Sequence, residues 1–275
     1  GQWDDPSRSY SSLRSYPRYR HMDSKMKHLF SLLFISSLAG QWSGSTATNM
    51  DVERKEIGLF SPFRMGLNNG SELIVNKFVL IPNIGLKQEQ TMFGNWERAR
   101  IIRVEYPTMG MKWLQSPLGM ELGEPNMFAL ISPQFTIPQM LSFHGEWIGT
   151  RPLRDKGTLT LRGGFGFSLG GEKLSDDATV DLPIIYPRLS VYYNGYVFKV
   201  GGKYYQSFKE SWSYLMDYDM VFMPGGKGRY AFEHKGLMVW TKSRKFRIHF
   251  GYKLVAGEYP FGAQAHLFPF LDFQF

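Results

Sequence analysis

From about residue 52 onward, large apolar side chains recur at every second position rather than every third or fourth, the period of a β-strand and not of a helix. The clearest stretch is TLTLRGGFGFSL (158–169). Leu159, Leu161, Phe165, Phe167 and Leu169 fall on one face, and Thr158, Thr160, Arg162 and Ser168 on the other. Phe246, Ile248, Phe250, Tyr252 and Leu254 alternate likewise with Arg247, His249, Gly251 and Lys253, and Tyr196, Phe198 and Val200 lie opposite Lys199. Long basic side chains opposite a greasy face are hard to place in a dry core and suit a wet or ion-paired lumen. The pattern predicts strands near 55–66, 71–81, 84–91, 97–106, 127–137, 139–150, 157–169, 183–193, 196–208, 213–223, 229–241, 245–256 and 263–275.

These thirteen candidates predict about twelve strands, within ten to fourteen, because single-chain bacterial barrels use an even number. The segment 127–150, broken by Pro133 and Pro138, is the place where the count is most open. Asn68-Asn69-Gly70, Arg154-Asp155-Lys156-Gly157, Asn194-Gly195 and Pro224-Gly225-Gly226-Lys227-Gly228 read as hairpin turns, since Asn and Gly accept positive φ. Longer connections are expected near 107–126 and 170–182. With no solenoid-period repeat and no linker, 53–275 reads as one barrel domain preceded by an extension over 40–52.

Composition agrees with strands and tight turns: 22 Phe, 15 Tyr and 7 Trp stand beside 29 Gly. Tyr192, Tyr193, Tyr204, Tyr205, Trp212, Tyr214 and Tyr218 read as an interfacial aromatic belt, with a ring-binding platform as the other reading. The absence of cysteine excludes a disulfide scaffold, a thiolate metal site and a cysteine nucleophile. The formal charge of +8 falls to about +5 without residues 1–39, and its scattered Lys and Arg form no nucleic-acid footprint. Lys25 and Lys27 precede the apolar run 29–38, about ten residues long and well short of the ~20 of a membrane-crossing helix. Residues 1–39 are therefore expected to be leader and signal peptide, with cleavage after Ala39 or, second, after Ala47.

The chain closes on Leu271-Asp272-Phe273-Gln274-Phe275. This ending resembles the C-terminal signature of bacterial outer-membrane β-barrel proteins, although Phe270 stands where a glycine is common. The resemblance implies that Leu271, Phe273 and Phe275 mark the last strand for the barrel-insertion machinery, and that the protein resides among outer-membrane lipids.

One constellation suggests chemistry. A spacing of two puts Ser142, His144 and Glu146 on one strand face, the residue types of an acyl-transfer site. Their backbones are about 6.5–7 Å apart in sequence along a strand, so a polar lumen network is the simpler reading. Asp176-Asp177 and Asp217-Tyr218-Asp219 read as solvated loops, or as acids touching a divalent ion at the rim. No metal-ligand spacing is present and no cofactor is expected.

The sequence thus predicts an all-β, antiparallel transmembrane β-barrel in the bacterial outer membrane. Its expected function is a narrow channel for small solutes, lined by Arg162, Lys199, Arg247, His249 and Lys253. Alternatives are a lipid-modifying hydrolase using Ser142, His144 and Glu146, or an anchor whose loops bind partners. A soluble sandwich or lipocalin-like binder is the alternative fold.

Overall fold

The computed structural model describes residues 46–76, 81–115, 136–153, 156–170, 183–225, 228–243 and 246–275. Twelve strands form one antiparallel sheet in which each pairs with its neighbours in sequence. They are β1 (Lys55–Glu56), β2 (Phe63–Leu67), β3 (Ser71–Asn76), β4 (Asn83–Phe93), β5 (Trp96–Glu105), β6 (Leu141–Leu153), β7 (Gly157–Leu169), β8 (Tyr196–Lys209), β9 (Trp212–Phe222), β10 (Tyr230–Ser243), β11 (Phe246–Tyr259) and β12 (Gly262–Gln274). Helices α1 (Thr108–Gln115) and α2 (Tyr186–Asn194) lie in the two longest connections, at one end of the sheet. Among the described residues no helix is long and apolar enough to cross a membrane.

The sheet closes on itself at its two ends. Ile57 N–H donates to Phe275 C=O (3.0 Å), Phe275 N–H returns a bond to Ile57 C=O (2.8 Å), and Leu59 N–H donates to Phe273 C=O (2.9 Å). Asp272 completes the seam from inside, accepting from Phe60 N–H (3.0 Å) and the Ser61 hydroxyl (2.5 Å). Above these contacts the wall is low, because β1, β2 and β3 hold two, five and six residues while the others hold ten to fourteen.

Polarity across the wall is the reverse of a water-soluble core. Leu161, Phe165, Phe167 and Leu169 of β7 are exposed, while Thr160 and Arg162 are buried. On β9, Met216, Tyr218 and Phe222 face out and Asp217 and Asp219 face in. A soluble sandwich or lipocalin-like barrel would put its apolar face inward, so that alternative does not describe this sheet.

Two sequence expectations fail here. The segment 183–193 is not a strand: it holds helix α2, with Pro187 in its first turn and all nine residues buried. The segment is enclosed on every side, with even Arg188 and Ser190 buried, so its run carries no clear polar stripe or period. Asn194-Gly195 is accordingly the end of that helix and not a hairpin. Gly195 takes φ 88°, a left-handed cap whose N–H bonds Val191 C=O at 2.8 Å. The predicted strand 55–66 is two strands bent at the seam. Residues 127–135, most of another predicted strand, lie outside the described residues, as do 1–45, 154–155, Asp176 and Asp177. Asn69 and Gly70 take φ near 65° and 62° in the β2–β3 turn, as expected.

Residues 46–52 pack against the inner wall at the short-turn end. Ala47 is buried and its N–H bonds the Thr150 hydroxyl (2.8 Å), and Lys87 reaches the Thr48 carbonyl (2.6 Å).

Asp272→Ala removes the acceptor of two half-buried seam donors and is expected to lower stability by about 1 kcal/mol. A reduced urea midpoint of refolded protein in lipid vesicles, with Asp272→Asn losing less, is the outcome that checks it.

Candidate functional site: a charged lumen with one stoppered end

The inward side chains of β7 to β11 form an ion-pair lattice that follows from strand register. Arg162 on β7, Gly201 on β8 and Asp219 on β9 stand side by side across three strands. Because Gly201 has no side chain, Arg162 passes over β8 to reach Asp219, with Nε to Oδ1 at 2.9 Å, and it also pairs with Asp217. A Cβ at Gly201 would lie 2.4 Å from Asp219 Oδ1 and 2.7 Å from Arg162 Nε. Lys235 meets Asp217 at 3.1 Å and Lys199 meets Asp219 at 3.5 Å. All five charged groups are buried, so the attraction between them acts with little screening. Asp217 and Asp219 therefore lie mid-strand inside the wall and do not form the solvated loop or rim ion site expected from sequence.

Farther toward the long loops, Arg188 of α2 clamps Glu233 of β10 with both nitrogens (2.7 and 3.0 Å), and Lys253 of β11 shares that carboxylate at 2.6 Å. Around this clamp α2 builds an apolar stopper. Ile184, Ile185, Tyr186, Leu189 and Tyr193 pack with Met111 of α1, Ile81, Met140 and the strand-end residues Val197, Val221, Ala231 and Val255. Tyr186 also stacks on Tyr193, with ring centroids 5.2 Å apart. Tyr192 and Tyr193 are thus inside the barrel rather than in an interfacial belt. Tyr205 also points inward, where its hydroxyl donates to Ser213. Tyr204, Tyr214 and Tyr218 remain on the outer face.

The Ser142, His144 and Glu146 face does point into the lumen, and two of the three meet. Ser142 Oγ lies 2.9 Å from His144 Nε2 and 2.7 Å from the Tyr192 hydroxyl. Glu146 turns away to pair with Arg103 at 2.7 Å, so no carboxylate orients the imidazole. Tyr192 also donates to Glu105, at 3.3 Å, and burial holds its phenol above the ordinary tyrosine range, so it keeps its proton. Ser142 is fully buried beneath α2, and Gly166 leaves the space that the His144 ring fills. The arrangement ties α2 to the wall through the buried Ser142 hydroxyl.

Below the stopper lies a cavity of about 400 Å³ bounded by β1 to β5, β7 to β12 and the 57–62 segment. Its charged lining comprises Arg64, Arg103, Lys203, Lys235 and Arg247 against Glu56 and Asp272. Glu72, Glu146 and Asp217 brace three of those cations from behind the lining. His249 also lines this space, with its Nε2 atom itself buried and without a hydrogen-bond partner. Of the lumen residues expected from sequence, Arg247 and His249 line the cavity, Arg162 and Lys199 belong to the lattice, and Lys253 to the helix clamp. Sequence reasoning missed the acids that hold them. Their signal was the same period-two pattern, with Asp217 and Asp219 between Leu215 and Val221.

The chain matches no family model and no curated protein.

Gly201→Ala should force Arg162 and Asp219 apart and destabilise the barrel by about 1–3 kcal/mol, seen as a lower urea midpoint. Arg188→Ala leaves Glu233 short of its main partner, a change that costs about 3–5 kcal/mol for a buried pair. A single cysteine at Ser190, introduced into this cysteine-free chain, should resist maleimide in the parent and react in the Arg188→Ala background.

Proposed function

We propose that the protein is a bacterial outer-membrane barrel whose lumen is a narrow transport path for small anionic solutes, held shut at the long-loop end by α2. The observation that carries this reading is the reversed polarity of the wall. A continuous outward set of Leu, Phe, Val and Tyr suits lipid, and a nearly closed sheet pairs most of the backbone groups that would meet it. The seam supports a role for Phe273 and Phe275, whose backbones close the barrel, as the ending read by the insertion machinery. Burial of Ala47 favours processing upstream of it over cleavage directly after it. The long loops then face the exterior and the short turns the periplasm. The side chains that line the cavity carry more cations than acids, five against two, which favours anions at that surface.

The transport reading requires α2 to move. In planar bilayers the parent should conduct rarely, and Arg188→Ala should open more often, with a reversal potential in a KCl gradient on the chloride side. Absence of conductance from both proteins would count against a transport path. The hydrolase reading rests on the Ser142 to His144 contact alone; His144→Ala is expected to leave phospholipid turnover by the purified protein unchanged.

A further inference from the structure

The cavity has a side door as well as two ends. Strand β12 pairs with β11 along its length, but on its other side only its last residues have a partner, the short segment 57–59. In an antiparallel ladder the N–H and C=O of a residue point to the same side, and that side alternates from residue to residue. Phe273 and Phe275 direct theirs to the seam, so Leu271, Pro269, Leu267 and Ala265 direct theirs to the same edge, above it. Among the described residues no strand pairs there. Pro269 fits this edge, because the position that would need a partner for its N–H has none to offer. Leu267 is 67 % exposed on the same stretch.

Directly inside this break in the wall lies the cavity. Phe270 of β12 lines it from one flank, Ile74 and Asn76 of β3 from the other, and Gly58 to Pro62 form its lower lip. Phe268 packs onto the stopper above. Phe270 and Ile74 are the apolar members of the two flanks, and Lys203 and Arg247 stand on the floor.

We propose that this break is a lateral portal through which a single-chain anionic amphiphile enters the cavity from the bilayer, its head on Lys203 and Arg247 and its tail passing between β12 and β3. The assignment rests on the membrane reading above and narrows its solute to a class. A freely soluble anion would need only an open end, whereas a tail needs a gap in the hydrogen-bonded wall at bilayer depth.

The test uses the full chain in phosphatidylcholine vesicles with dodecyl phosphate carrying a diazirine at the far end of its tail. Illumination followed by peptide mass spectrometry should place adducts on 265–271 and 71–76, about tenfold above those at Leu161 and Phe165 on the opposite wall. A Lys203→Gln/Arg247→Gln double variant should lose about tenfold of that labelling, the scale of one charge-assisted hydrogen bond. Adducts spread evenly over the outer band, or unchanged in the double variant, overturn the portal. Inorganic phosphate separates the two layers of the argument by isothermal titration. If it binds and the tail does not label the gap, the anion cavity stands and the portal falls; if neither binds, both fall.

Discussion

Arg162 reaching over Gly201 to Asp219 is the contact on which the inner organisation of this barrel depends. A guanidinium buried in a wall that faces apolar residues outward has no water to lean on, so its acids must be set within reach by register alone. Register does this in a single rung: Arg162, Gly201 and Asp219 stand on adjacent strands, and the missing side chain in the middle lets the outer two touch. A one-residue slip of β7 or β9 would turn its member of this rung to the outside and part the pair. The ion pairs therefore act as a register lock as much as a source of stability, and the apolar exterior follows from them by alternation.

The same rule explains why α2 belongs to the wall. Glu233 and Asp219 are direct neighbours on β10 and β9, two carboxylates on one rung. Arg188 and Lys253 relieve that repulsion, and Arg188 comes from the helix. Once the helix is drawn in, its apolar residues have strand-end valines to cover, and the stopper forms. The lumen is thus divided into a dry upper part held by one clamp and a charged lower part beside the seam.

Strands were legible in the sequence because a barrel wall has two unlike faces, and 158–169 or 246–254 display both. Lys199, Arg247 and Lys253 could be assigned to the lumen on that basis alone. Helix α2 was not legible: an enclosed helix shows no polar stripe, and Ile184, Ile185, Tyr192 and Tyr193 are strand-favouring residue types. The contact of Ser142 with Tyr192, made beside its contact with His144, depends on that helix, so it too was hidden. The short β1 to β3 wall was obscured because 55–66 alternates straight through its bend. Asp217 and Asp219 were in view, yet two acids around a tyrosine resemble a loop until their rung partners are known.

The seam joins residues 57–59 to residues 273–275, more than two hundred positions apart, whereas every other pairing joins consecutive strands. Folding can therefore proceed as a string of hairpins, each closing a short loop before the next begins. Sealing the ring is left as a late step, since its partners come together only after the intervening strands are in place. Until then both edges are bare, and a chain caught at that stage offers β12 to any other strand nearby. The short contact that completes the ring is also the one that decides whether the chain ends as a monomer or as a tangle.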